Sequence, residues 1–145
     1  MPLSASGRLR PTGMHEIVLH VDDLERATRF YADVIGLNVV QRWGPGRPAV
    51  WFDCGDTVAL GLWTTKAEQG AIANGRGGAH VHLALRIPPG SLEAVQQDLA
   101  ERGYDTLRID FDDGNRSLYL DDPDGHCLEL MDAVVDWAGQ PVVPR

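Results

Sequence analysis

The stretch that decides the fold runs from Tyr119 to Met131 and reads YLDDPDGHCLELM. Pro123 restricts its own φ angle and Gly125 permits a positive φ, so a tight turn between two strands is predicted here. After the turn, apolar residues alternate with residues that point to the opposite face. Glu129 lies within this apolar strand, where burying a carboxylate without a partner is costly. It either faces water at a sheet edge, or acts as a metal ligand or general base inside a cavity.

Composition narrows the class of protein. The chain has 145 residues, of which 43% are apolar, and this suits a single domain with its own core. The net charge of -8 argues against a nucleic-acid partner, which would require a basic face. No apolar run approaches the roughly 18 residues of a membrane span, and no signal peptide is evident, so we expect a cytoplasmic protein. Cys54 and Cys127 are expected to be free thiols.

The first half of the chain is predicted to contain a strand, a helix and three further strands. The first strand covers 14–21, where apolar and polar residues alternate. The helix follows and extends to about Ile35, with Asp22 and Glu25 at the spacing of an acidic capping box. Gly36 can close the helix in a left-handed conformation. The remaining strands are predicted at 37–43, 49–53 and 58–63.

The second half repeats this order of elements. Alternation predicts a strand at 80–87, Ser91 can cap the next helix, and Gly103 can end it. The last three strands are predicted at 107–111, 116–120 and 127–131. The Gly-rich segment 66–79 between the halves is expected to be a plain connector, with a flexible flap over a site as the alternative.

The two halves align with each other: Glu16 falls opposite His82, and Gly55 opposite Gly125. Such a repeat implies two similar units joined into one sheet. We therefore predict an α+β fold of two βαβββ modules that form a curved, cup-like mixed sheet with the helices on its outer face. The predicted organisation is an N-terminal tail (1–13), one domain (14–132, with modules 14–65 and 80–132 joined by linker 66–79) and a C-terminal tail (133–145).

The strand face opposite the helices carries polar residues that a cup would bring together on its inside. They are Glu16, His20, His80, His82, Arg86, Cys127 and Glu129. A β-bulge in the first strand could exchange Glu16 for His15 on this face.

Three segments resemble the vicinal oxygen chelate superfamily, which includes glyoxalase I, bleomycin-resistance proteins, fosfomycin-modifying enzymes and extradiol dioxygenases. They are IVLHVDDLERA with FYADVIGL within 17–37, HLAL at 82–85, and DPDGHCLEL at 122–130. The resemblance covers about 14–132. It implies a fold of paired βαβββ modules, a small-molecule substrate and a homodimer.

The resemblance also implies where metal ligands would lie. Metal-using members take ligands from the first and last strand of each module, which here are Glu16, Ala59, His82 and Glu129. Glu16 stands where the family usually has His or Gln, and Ala59 cannot coordinate. The resemblance therefore implies a metal set of Glu16, His82 and Glu129, with Glu16 and Glu129 as the candidate catalytic residues.

The chemistry of these three residues points to a divalent cation. Two carboxylates balance its charge and one imidazole adds a borderline ligand. Such a site suits Mn²⁺, Mg²⁺, Fe²⁺, Co²⁺ or Ni²⁺ better than structural zinc, although Zn²⁺ stays a candidate. Three protein ligands would leave positions for two substrate oxygens. The alternative is a cup that binds its ligand without metal.

Several neighbours are candidate substrate-binding residues: His20, Arg86, Tyr119, Arg116 and Trp51. His20 and Arg86, on the cup face, could hold a substrate anion or transfer a proton, or simply lie at the rim. Tyr119 could donate to a bound oxygen or be a core residue. Trp51, with Phe52 and Trp63, is expected at the apolar wall of the cup or at a dimer seam.

The preferred function is a metal-dependent enzyme with lyase, isomerase, thiol-addition or ring-cleavage chemistry. Ring cleavage is less favoured because its usual metal triad has two histidines and one carboxylate, the reverse of this set. The runner-up is a non-catalytic protein that sequesters a drug or metabolite without metal.

Overall fold

The computed structural model describes residues 14–46, 48–64 and 82–142, and the structural statements below concern these residues. They form two compact units, unit 1 (14–64) and unit 2 (82–142). Each unit consists of a strand, a helix and three strands, so the predicted α+β class and the βαβββ modules are confirmed. The predicted linker 66–79 and His80 lie outside the described residues.

Unit 1 is a four-stranded mixed sheet with one helix. Its strands are β1 (Glu16–His20), β2 (Asn38–Trp43), β3 (Ala49–Asp53) and β4 (Ala59–Trp63). Helix α1 (Leu24–Arg29) continues into a π-helical turn (Phe30–Val34). The sheet order is β1-β4-β3-β2, with β1 parallel to β4 and the other pairs antiparallel.

The start of α1 lies one residue later than the predicted capping box. Asp23, in an extended conformation, is the N-cap, and its Oδ1 accepts a hydrogen bond of 3.0 Å from the Arg26 amide. Since Asp23 is the N-cap and its carboxylate reaches the third helical N–H, the prediction that Asp22 caps the helix is wrong. Gly36 has a φ of +87°, as expected of a left-handed helix end.

Unit 2 repeats the same arrangement. Its strands are β5 (His82–Arg86), β6 (Leu107–Asp110), β7 (Arg116–Asp121) and β8 (Cys127–Asp132), and its helix is α2 (Leu92–Glu101). The sheet order is β5-β8-β7-β6, with β5 parallel to β8 and the other pairs antiparallel. The tight turn before β8 is confirmed, because the Gly125 amide donates to the Asp122 carbonyl at 3.0 Å.

Helix α2 is not capped by the Ser91 side chain, contrary to the prediction. The Ser91 hydroxyl instead donates to the Pro88 carbonyl at 2.6 Å. Asp132, at the end of β8, caps the helix from outside: its carboxylate accepts from the Gly90 amide at 2.9 Å and from the Leu92 amide at 3.3 Å. The buried carboxylate is a better cap because it accepts hydrogen bonds from two amides at once. Its negative charge is also stabilised by the positive end of the helix.

Each sheet has a core-facing side and an opposite side, which we call the distal face. The core-facing residues are Val50, Phe52, Leu60 and Leu62 in unit 1, and Leu118, Leu120, Leu128 and Leu130 in unit 2, and all are buried. The pairing registers place the functional candidates Glu16 and His20 on the distal face of unit 1. They place His82 and Glu129 on the distal face of unit 2.

The residues after β8 remain attached to unit 2. The Asn115 side-chain oxygen accepts hydrogen bonds from the amides of Val134 and Val135, at 2.7 and 3.1 Å. Val135 also forms an antiparallel bridge with Pro141. In the part of the chain that is described, no helix has the length and apolar character needed to cross a membrane.

Candidate metal site

Glu129 is a buried carboxylate with partners on both neighbouring strands. Its residue is only 4% exposed, so the alternative of a water-facing edge glutamate is wrong. Oε2 lies 3.0 Å from Nε2 of His82 on β5. Oε1 accepts a hydrogen bond of 2.6 Å from the Ser117 hydroxyl on β7. Both oxygens are thus engaged, as burial of a charged carboxylate requires.

The strand registers explain why these side chains meet. Glu129 pairs with Ala84 on β5 and with Tyr119 on β7. His82 is two residues before Ala84, and Ser117 is two residues before Tyr119, so both share the face of Glu129. Diagonal neighbours on one face lie close enough for long side chains to touch.

Tyr119 is the third neighbour of Glu129. Its ring lies edge-on to the His82 imidazole, with ring centroids 5.9 Å apart. Burial raises the pKa of Tyr119, and the hydrogen bond to Glu129 and the charge of that carboxylate raise it further. The phenol is therefore held in its protonated form, in which it can donate to an oxygen.

The pair of His82 and Glu129 fits a divalent metal. Two neighbouring ligand atoms of an octahedral ion, each about 2.1 Å from it, are about 3.0 Å apart. The observed Nε2 to Oε2 distance is also 3.0 Å, but in this contact Nε2 donates a hydrogen bond to the carboxylate, so an ion bound by both atoms would replace that proton. Among all the described residues, no group of three or more His, Cys, Asp or Glu side chains is placed to hold a metal ion. An ion held by His82 and Glu129 would therefore need ligands besides these two residues.

The module position equivalent to Glu129 is Gly61, and the prediction of Ala59 is wrong. Glu16 pairs with Ala59, whereas His82 pairs with Cys127. Equivalent hydrogen bonds close the turns before β4 and β8. The Cys54 amide donates to the Val58 carbonyl and the Asp122 amide to the His126 carbonyl, both at 2.9 Å. This match keeps the two modules in register up to Gly61 and Glu129. Like Ala59, Gly61 has no side chain that could bind a metal.

Glu16 lies on the distal face of unit 1. The pairing of β1 with β4 runs without interruption from Glu16 to His20, so no bulge exchanges Glu16 for His15. His20 shares this face, and its Nε2 lies 3.1 Å from the Thr64 carbonyl oxygen. Since a carbonyl only accepts, Nε2 carries the proton in this contact and donates it.

Three tryptophans form a cluster on the distal face of unit 1. Trp43 contacts Trp51 and Trp63 with ring centroids 5.1 and 5.5 Å apart, and the latter two are 5.9 Å apart. Trp51 lies over Gly61, where an added Cβ would come within 2.6 Å of its ring. The Trp51 N–H is buried, and no atom in the described parts of the chain accepts a hydrogen bond from it. Phe52, by contrast, faces the core against Tyr31 and does not join this wall.

The two candidate arginines lie on opposite faces of unit 2. Arg116 pairs with Asp132 on the core-facing side, and its guanidinium contacts Glu93 and Asp132. It is thus engaged at the start of α2 and lies away from the face of Glu129. Arg86, paired with Met131, shares the distal face with His82 and Glu129, and no ion pair to it is present within the described residues.

Neither cysteine has the character of a nucleophile. Burial raises the pKa of Cys127, and the charges of Asp121 and Glu129 raise it further. Burial is also the main cause of the raised pKa of Cys54, and the charge of Asp53 raises it further. Both are free thiols, as predicted, and a raised pKa keeps them in the less reactive form.

Ser117 is the site residue that sequence reasoning missed. It is fully buried and bonded to Glu129, yet a serine within an apolar strand has no distinctive pattern. Its position two residues before Tyr119 was the available signal, since alternation puts both on one face.

Comparison with known proteins agrees with this architecture. The model of the Glyoxalase/Bleomycin resistance protein/Dioxygenase superfamily matches residues 13–130. The chain therefore belongs to this superfamily, and the resemblance seen in the sequence is confirmed.

Individual relatives are enzymes with different chemistry. The chain is 28% identical over 119 residues to the glutathione transferase FosA of Serratia marcescens, covering 81% of this chain and 78% of that protein. It is 26% identical to a lactoylglutathione lyase from Agrobacterium tumefaciens, with a TM-score of 0.66, covering 83% of this chain and 93% of the other. A fosfomycin resistance protein, FosX from Listeria monocytogenes, shares the fold at 17% identity and a TM-score of 0.68, covering 86% and 93%.

Proposed function

We propose that this protein is a metal-dependent enzyme in which His82 and Glu129 hold a divalent cation and Glu16 supplies a third ligand. The observation that carries the proposal is the contact between Nε2 of His82 and Oε2 of the buried Glu129 at 3.0 Å. Its substrate would be a small molecule that offers two neighbouring oxygens. In this proposal Glu16 and Glu129 are the catalytic residues because they hold the ion that the substrate meets.

The donor set favours Mn²⁺, Mg²⁺, Fe²⁺, Co²⁺ or Ni²⁺, with Zn²⁺ as a further candidate, because carboxylates dominate it. When bound, such an ion supplies Lewis-acid stabilisation of negative charge that develops on a substrate oxygen. The protein keeps Glu129 ready for this role by enclosing it between β5 and β7. Burial strengthens the attraction between the carboxylate and a cation, since water does not screen it.

Other residues on the distal face of unit 2 would bind the substrate. Tyr119 holds its proton, and a substrate oxygen would compete with Glu129 for the hydrogen bond that the phenol donates. Arg86, two residues beyond Ala84 on the same face, supplies a positive charge for an anionic group. His20 lies on the distal face of unit 1, where its Nε2 donates to the Thr64 carbonyl, and is a further candidate for a substrate contact. We do not assign a substrate contact to Arg116, since its guanidinium is held at α2.

The relatives support a reaction that involves glutathione or a similar thiol. Two of the relatives above 25% identity are a glutathione transferase and a lactoylglutathione lyase. Thiol addition and lyase or isomerase chemistry each develop negative charge on an oxygen, which the proposed site would stabilise. Ring cleavage stays less favoured, given one histidine and two carboxylates. We also propose a homodimer, on the resemblance to the superfamily, and retain the cytoplasmic location expected from the sequence.

A second candidate function is supported by the tryptophan cluster. Trp43, Trp51 and Trp63 offer aromatic surface, and the Trp51 N–H has no acceptor within the described residues. These features favour a protein that sequesters an aromatic drug or metabolite without metal. Stacking on these rings is the interaction such a ligand would use, and the buried Trp51 N–H would become a donor only if the cluster opened.

Elemental analysis of protein purified without chelator tests the metal proposal. We expect near-stoichiometric divalent metal in the wild type, and its loss in His82→Ala and Glu129→Gln. His126→Ala is the matched control, because it removes a histidine of the same unit that lies before β8. Negligible metal in the wild type after reconstitution would reject the site.

A thermal-shift panel separates enzyme from binding protein. Bidentate oxygen ligands, such as a hydroxamate or an α-hydroxy acid, should raise the melting temperature only when metal is present, through linkage to the native state. Stabilisation by bulky aromatic ligands that is indifferent to metal, and that survives Glu129→Gln, would favour the binding protein instead.

A further inference from the structure

We propose that Ser117 is a positioning residue that restricts Glu129 to a single oxygen for the metal. This inference rests on the proposed function, since it concerns how Glu129 binds the ion. It goes further by assigning a role to a residue that contacts neither the ion nor the substrate. Ser117 is fully buried, so its hydroxyl has no route to a ligand in solution.

The hydrogen bond fixes which oxygen is occupied. The Ser117 hydroxyl donates to Oε1 at 2.6 Å, because an ionised carboxylate can only accept. The other oxygen, Oε2, faces Nε2 of His82 at 3.0 Å. Charge-assisted O–H···O bonds of this length are among the stronger hydrogen bonds in proteins. The carboxylate is therefore held between Ser117 and His82, with Tyr119 as a further hydrogen-bond donor, and presents Oε2 on the side of the imidazole.

Single-oxygen binding has a consequence for the reaction. A Glu129 that bound the ion through one oxygen would occupy one coordination position, whereas a bidentate Glu129 would occupy two. By holding Oε1, Ser117 would leave that second position free for a substrate oxygen, for water or for a second reactant.

Ser117→Ala tests this role. Residues that orient metal ligands typically contribute about 10- to 100-fold in metal affinity, so we expect Mn²⁺ to bind 10- to 100-fold more weakly. Affinity is measured by titration with Mn²⁺, following the free ion by electron paramagnetic resonance. Ser117→Thr keeps the hydroxyl and should restore most of the affinity. The matched control is Ser91→Ala, which removes a hydroxyl bonded at 2.6 Å to the Pro88 carbonyl in the same unit.

The visible spectrum of the Co²⁺-substituted protein gives a second readout. Ser117→Ala should change the absorption bands, because freeing Oε1 alters the number of ligand atoms, whereas Ser91→Ala should leave them unchanged. A merely structural serine would lower the melting temperature of the metal-free protein without altering either metal readout. Should the alanine variant fail to fold, Ser117→Cys, with its weaker donor, is expected to bind Mn²⁺ at least several-fold more weakly.

The outcomes separate this inference from the proposed function. If wild-type protein binds no Mn²⁺, the proposed function fails and the role of Ser117 fails with it. If wild type binds Mn²⁺ and Ser117→Ala, or Ser117→Cys in its place, binds it equally well, only the role of Ser117 is overturned. Weaker binding together with altered Co²⁺ bands supports both.

Discussion

Nη2 of Arg116 lies 2.6 Å from Oδ2 of Asp132, and the same carboxylate caps helix α2 through two backbone amides. Asp132 is 1% exposed, so this network joins β7, β8 and the helix beneath the sheet. Burial acts to raise the pKa of Asp132, but the hydrogen bonds from Gly90, Arg116 and Leu92 outweigh it and lower the pKa. The carboxylate is therefore ionised and central to the stability of unit 2.

Asp132→Asn should lower the free energy of unfolding by about 2 to 4 kcal/mol, because it weakens the cap and leaves Arg116 without its buried partner. Denaturation by urea at neutral pH measures this change. Asp98→Asn is the control: it disrupts an exposed helix pair with Arg102, at 3.0 Å, and should cost less than about 1 kcal/mol. Equal effects of the two substitutions would contradict the role of Asp132.

The same carboxylate should make stability depend on acid. Because the folded-state pKa of Asp132 is lowered, its contribution is present above the unfolded pKa of about 3.9 and disappears as pH falls through the folded value. Wild type should therefore lose stability below about pH 4 more steeply than Asp132→Asn does. Parallel pH profiles for the two proteins would show that Asp132 contributes no linkage.

Gly61→Ala should destabilise unit 1, since the new Cβ would lie 2.6 Å from the Trp51 ring. Overpacking of this kind costs about 1 to 3 kcal/mol. We also expect a changed tryptophan emission spectrum, because Trp51 belongs to the cluster with Trp43 and Trp63. Gly44→Ala is the control, since a Cβ there meets nothing within 4 Å. Unchanged stability and emission in Gly61→Ala would mean that the Trp51 ring shifts freely.

Glu16→His tests the third ligand of the proposed metal site. If Glu16 binds the ion, the histidine should retain metal and shift the preference toward ions that favour nitrogen, such as Ni²⁺ or Zn²⁺. Competition between Mn²⁺ and Zn²⁺ measures the shift. Unchanged affinity and selectivity would identify Glu16 as an ordinary strand residue. Glu25→His, on helix α1, is the matched control.

Both thiols should react slowly with an aromatic disulfide reagent in the folded protein. The raised pKa values of Cys54 and Cys127 lower the thiolate fraction at pH 8 below that of free cysteine. Reaction followed by absorbance should accelerate when urea unfolds the chain. A fast phase in the native protein would indicate a reactive thiolate that these environments do not explain.

The sequence alone determined the order of the elements and the faces of the strands. Alternation and turn residues are local signals, and the predicted strand at 49–53 has the bounds observed for β3. The turn at Pro123 and Gly125 followed from backbone restrictions of the two residues themselves. These rules also placed Glu129 and His82 on the same side as the other polar candidates.

The tertiary structure decided the contacts between residues far apart in sequence. The partner of Gly90 is Asp132, 42 residues away, so the cap of α2 could not be deduced from Ser91. Register between strands made Gly61, and not Ala59, the equivalent of Glu129. Pairing also placed Arg116 on the core-facing side and Ser117 against Glu129. A local pattern specifies which way a side chain points, whereas strand pairing specifies which side chain it meets.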